Sequence, residues 1–190
     1  MHVTKRGSAW WFLARWSFAT IAGSIVGMFG AIVLSYLIVN LFYPKETNLI
    51  VGLCVGAAVG AGQIVAARPW FRLTKSWIWG AALIMGPPFV AHVVFAELGW
   101  SPEASATRIS MAAIAVAGAV AGSWIQALAL REHSAHPRWW IAASPLAWGV
   151  AYALSDVAGT VGSALLLGLA SGTLVLWIVR LRADDNTTNV

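Results

Sequence analysis

The chain has 190 residues, of which 59% are hydrophobic and 10% charged, with a mean hydropathy of +0.76. A soluble domain carries roughly a quarter charged residues because its surface must be solvated, so a cytosolic enzyme, a nucleic-acid-binding domain and a disordered tail are excluded. The net charge of +5 is therefore read by membrane side, and the single cysteine, Cys54, excludes an internal disulfide or a cysteine-rich zinc site.

A helix needs about 20 mostly apolar residues to cross the hydrocarbon core. Six such runs follow one another, over 16–42, 48–67, 77–96, 109–130, 139–155 and 159–179. The connections are short, so neighbouring spans are expected to be antiparallel hairpins. No run alternates as a membrane β-strand does. The predicted fold is all-α: a polytopic membrane helix bundle over 1–182 with a short polar tail at 183–190. The basic N-terminus resembles the start of a signal peptide, but the apolar run after it is too long for one and lacks a cleavage site. It is read as a retained first span.

Lys and Arg set orientation. Lys5, Arg6, Arg15, Arg68, Arg72, Lys75, Arg131, Arg138, Arg180 and Arg182 fall on one side, and only Lys45 and Arg108 on the other. Both termini are thus expected in the cytoplasm, with the chain in the inner (cytoplasmic) membrane as a multi-pass protein.

The chain also repeats itself. The second span has Gly56-x-x-x-Gly60, the fourth Gly118-x-x-x-Gly122 and the sixth Gly168-x-x-x-Gly172, each followed by an Arg (Arg68, Arg131, Arg180). In the second and fourth, Gln63 and Gln126 precede that Arg by five residues; the sixth has Val175 at the corresponding place. The odd spans share Trp11-x-x-Ala14, Trp77-x-x-Gly80 and Trp140-x-x-Ala143. These features predict six transmembrane helices arranged as three pseudo-repeated hairpins. The set of Gly56, Gly60, Gln63 and Arg68, with the Trp139-Trp140 helix start, resembles a loosely defined group of uncharacterised bacterial six-span membrane proteins. That resemblance implies a fold and no activity.

The small-residue pairs, with Gly23-x-x-x-Gly27 in the first span, let helix backbones approach closely. They are expected to pack the bundle internally; a face for another subunit is the sharper alternative, best placed on the first span. Nine of the twelve Trp residues (Trp10, Trp11, Trp16, Trp70, Trp77, Trp79, Trp139, Trp140 and Trp177) lie near the cytoplasmic boundary. An interfacial belt accounts for them, since an indole is apolar with one N–H that needs a polar partner. Trp124 and Trp148 lie inside spans.

His92 is the one histidine within a span. Pro87 and Pro88 precede it and remove two helical N–H donors, which is expected to free the carbonyls of Leu83 and Ile84. With Glu97, Tyr152, Asp156 and Trp148, His92 outlines an outward-facing polar pocket, and an intramembrane ionisable residue is a functional candidate by default. The competing expectation is that His92 bonds a helix carbonyl while Glu97 and Asp156 sit among headgroups. His92 is also the only candidate metal ligand, and only toward a tetrapyrrole. The loop Glu132-His133-Ser134-Ala135-His136 lacks the order of a zinc motif and is expected to be solvated. Ser24, Ser110 and Ser123 are expected to bond carbonyls or neighbouring helices. No nucleophile–base pair or phosphate loop appears, so the chain is expected to be non-enzymatic.

Two functions remain in view. One is an integral membrane subunit that packs with lipid and with other membrane proteins or itself, and holds a lipid or pigment. The other is a small-molecule binding or carrier protein, similar in size to the substrate-binding subunits of vitamin transporters.

Overall fold

The computed structural model describes residues 9–39, 47–100, 105–134 and 136–185. Six helices occupy the six apolar runs: α1 (Ala9–Val39), α2 (Thr47–Ala67), α3 (Ser76–Glu97), α4 (Ser105–Leu130), α5 (Arg138–Ala153) and α6 (Ser155–Asp185). Four of them, α1, α2, α4 and α6, are long and apolar enough to cross a membrane. Helix α5 has 16 residues, roughly 24 Å at 1.5 Å per residue.

Each helix packs on its neighbours in sequence, and α1 also packs on α6. The helices therefore form a closed ring. Two loops, 68–75 and 131–137, lie at the end that carries Arg68, Arg72, Lys75, Arg131 and Arg138, hereafter the basic end. At the far end α5 and α6 are joined through Leu154 alone, and the chain bends again at Gly159, whose φ is 65°. That left-handed conformation suits glycine, which has no Cβ to collide with the carbonyl.

Helix contacts are made at small residues. A Cβ on Gly23 would stand 2.6 Å from the Val59 Cα, and one on Gly168 would stand 2.7 Å from the Ser17 Cα. Gly27 faces Val55, Gly56 faces Ala81 and Ala82, and Gly122 faces Gly80 and Ile84. Gly60 lies against Ile78, Gly118 against the Pro87 ring and Gly172 against Trp16. All eight positions thus meet another helix of the same chain. Without water between helices, such close van der Waals approach is what holds them together.

Replacing Gly60 or Gly168 with Leu is therefore expected to cost about 1–3 kcal/mol by overpacking, measured by reversible unfolding in mixed micelles. Gly30 has nothing within 4 Å of where its Cβ would be. Gly30→Leu should stay within about 0.5 kcal/mol of the parent, and equal melting of all three variants would refute this packing.

The prolines remove helical donors without breaking the helix. Helix α3 runs unbroken from Ser76 to Glu97 with Pro87 and Pro88 inside it. The Leu83 carbonyl, which Pro87 deprives of its helical donor, lies 3.4 Å from the place of a Gly118 Cβ. The small surface of α4 accommodates the ring and that carbonyl together.

Candidate ligand cavity

The ring is filled at the basic end and hollow above it. The filling is aromatic: Phe12, Trp16, Phe71, Trp77 and Trp140 form one buried cluster with Leu130, Val175 and Ile178. The Trp16 and Trp77 rings meet edge to face at 5.7 Å, and the Trp77 and Trp140 rings lie tilted at 43° with centroids 5.1 Å apart. Three of the indoles expected in the interfacial belt are thus core residues, at 0%, 0% and 1% exposure. Trp10, Trp11, Trp79, Trp139 and Trp177 do face outward, and so does Trp124.

A buried indole needs an acceptor, and the even helices supply one. Trp77 Nε1 donates to Gln63 Oε1 at 2.8 Å, and Trp140 Nε1 donates to Gln126 Oε1 at 3.0 Å. In both pairs the glutamine precedes its tryptophan by 14 residues. Around the same ring, Trp16 Nε1 donates to Ser171 Oγ at 3.0 Å. Helix α6 has no glutamine here, and Val175, one turn beyond Ser171, is fully buried. In α1, the residue that takes the place of Trp77 and Trp140 is therefore Trp16, not the exposed Trp11.

Both glutamine amides are used at both ends. Gln63 Nε2 donates to Thr20 Oγ1 at 3.1 Å, and Thr20 in turn donates to the Trp16 carbonyl at 2.9 Å. Gln126 Nε2 reaches the Trp77 carbonyl itself, at 3.4 Å. A satisfied buried network of this kind fixes side chains because a lost partner leaves a polar group stranded in apolar surroundings. Ser17, Ser123 and Ser144 depart from that rule: their hydroxyls are buried without a partner. Ser123 thus lacks the bond expected of it, whereas Ser24 Oγ does donate to the Thr20 carbonyl at 2.9 Å.

The loops add a lid below this layer. His133 Nε2 donates to the Arg72 carbonyl at 2.6 Å, and its ring lies 5.5 Å from Phe71. Ser134 is buried, and its Oγ donates to the Ile178 carbonyl at 3.2 Å. The segment expected to be solvated is instead tied to the opposite loop and to α6. Among the described residues no group of three or more His, Cys, Asp or Glu could hold a metal.

Above the tryptophan–glutamine layer lies a cavity of about 260 Å³, to which every helix contributes. Met28, Val55, Phe89, Ala115, Trp148 and Leu167 represent α1 to α6 in its wall. Ser24 and Ser163 are the hydroxyl residues there, and the Pro88 ring forms part of the wall. An apolar cavity of about 150 Å³ stays dry and binds benzene; on that scale this one has room for roughly ten carbon atoms.

Of the five polar-pocket candidates, Trp148 lines the cavity. Glu97, the last residue of α3, is exposed at the far end. The side chains of His92, Tyr152 and Asp156 lie outside the described residues. His92 follows Pro88, and Tyr152 follows Trp148, by about one turn of backbone, whereas Asp156, expected at the end of the fifth span, is the second residue of α6 beyond the Leu154 turn. The residues that sequence reasoning missed are the two Trp–Gln pairs, although the shared 14-residue spacing was readable. No protein-family model, curated protein or solved structure matches the chain.

Proposed function

We propose that this chain is a six-span, three-hairpin protein of the inner membrane, with both termini in the cytoplasm, that binds a small apolar or amphiphilic molecule at the centre of its helix ring. Binding, not catalysis, is its role. One observation carries this reading: an apolar cavity walled by all six helices and floored by a hydrogen-bonded aromatic layer. A bundle whose only task was to pack beside other proteins would gain dispersion energy by filling that space. The ligand has an apolar part of about ten carbons.

Native mass spectrometry of gently solubilised protein, followed by solvent extraction, tests this directly. A bound molecule of that size, at one per chain, supports the proposal. Protein that stays empty after incubation with medium-chain alcohols and acids would falsify it.

Orientation has its own test, in a background lacking Cys54. Leu98 is 61% exposed at the far end, and Glu132 is exposed at the basic end. A membrane-impermeant thiol reagent applied to intact cells should label Leu98→Cys and spare Glu132→Cys. The reverse pattern would place the basic end outside.

A further inference from the structure

A second apolar space lies on the outside of the ring, between α1 and α2. This groove of about 610 Å³ has a floor of small residues, Ala19, Ala22 and Ala58 among them, and reaches Val26, from which a further apolar hollow continues along α1 past Phe29 and Val33. Trp11 and Arg15 stand at its basic end. The Arg15 guanidinium lies 5.9 Å over the Trp70 ring, which holds a cation where the groove begins.

We propose that the groove binds one anionic phospholipid, its phosphate against Arg15 and one acyl chain along the small-residue floor. This rests on the reading that the helices span the membrane with the basic end toward the cytoplasmic leaflet. The groove's charge and its reach favour a lipid over a second helix. Arg15 and Val26 are eleven residues apart, roughly 16 Å of helix, which matches one leaflet of a hydrocarbon core about 30 Å thick. A single positive charge above an apolar channel complements a phosphate above an acyl chain.

The test uses the full chain in nanodiscs containing equal amounts of phosphatidylglycerol and phosphatidylcholine, released into native mass spectrometry. The parent should retain one phosphatidylglycerol in preference to phosphatidylcholine. Arg15→Gln should lower that preference about fivefold, the effect of one basic residue at an anionic surface, and Arg15→Lys should restore most of it. Ala22→Leu, which raises the floor, should lower retention of both lipids, with Ala121→Leu on the exposed face of α4 as the control for the same change away from the groove. Equal retention of the two lipids by the parent, or an unchanged preference in Arg15→Gln, overturns the proposal. So does a dimer that Ala22→Leu dissociates without altering lipid retention. If the Leu98 and Glu132 labelling pattern holds while the lipid preference is absent, only the lipid site fails; if the labelling pattern fails, the membrane orientation fails with it.

Discussion

Trp77→Ala is expected to destabilise the protein by about 3–5 kcal/mol, the range for removing a large, fully buried aromatic side chain. Trp77 is 0% exposed, lies between Trp16 and Trp140, and donates to Gln63. Its loss would open the floor of the cavity and strand the Gln63 oxygen. Trp77→Phe keeps most of the ring and removes only the donor, so it should cost less, about 1–3 kcal/mol for an unsatisfied buried acceptor. Trp79, two residues on, is 68% exposed. Trp79→Ala should remain within about 0.5 kcal/mol of the parent. Reversible unfolding in mixed micelles measures all three, and similar losses for Trp77→Ala and Trp79→Ala would show that Trp77 sits at the membrane interface after all.

The second large effect is on binding. Ala115 and Ala164 are 9% and 8% exposed, and both line the central cavity. A phenyl ring at either position occupies volume that the proposed ligand needs. Ala115→Phe and Ala164→Phe should each lower affinity for a ten-carbon alcohol at least tenfold, a change of about 1.4 kcal/mol. Cavity filling commonly stabilises, so both variants should melt at or above the parent temperature. Isothermal titration in detergent, with a melting curve for each variant, reads both quantities. Unchanged affinity in two well-folded variants would mean that the cavity is not the binding site.

The pair Trp77 and Trp79 shows why the helices were legible and the core was not. Hydropathy placed all six helices, because apolar runs of this length have few alternatives. It could not say which tryptophan faces inward, since a helix that is apolar all round reads the same on its lipid face and its packing face. The faces are told apart by polar side chains that need partners. Gln63 and Gln126 are apolar-segment outliers, each 14 residues before a tryptophan, a signal of burial that the assignment of Trp77 and Trp140 to an interfacial belt passed over. Trp16 carried no such mark, because Ser171 takes the place of a glutamine in α6.

The cavity was illegible for a different reason. Its wall is built partly from Ala115, Ala151 and Ala164, and a small residue facing a void looks the same in sequence as one facing a close-packed helix. Gly122 and Ala115, two turns apart on α4, illustrate this: Gly122 meets Gly80 and Ile84, while Ala115 borders empty space. The double proline drew attention to the right stretch of α3, since Pro88 and Phe89 form part of the wall.

The most direct measurement is photolabelling of the membrane-embedded protein with a ten-carbon diazirine alcohol, with adducts mapped by peptide mass spectrometry in the parent and in Ala164→Phe. An apolar probe also labels lipid-facing residues, so the comparison between the two proteins carries the information. The expected result is labelling at Met85, Phe89 and Trp148 in the parent that falls sharply in Ala164→Phe, while labelling at Phe29 and Val33 on the outer face of α1 stays constant. Labelling confined to the outer face in both proteins, with no adducts on the cavity wall, would contradict a ligand site inside the ring.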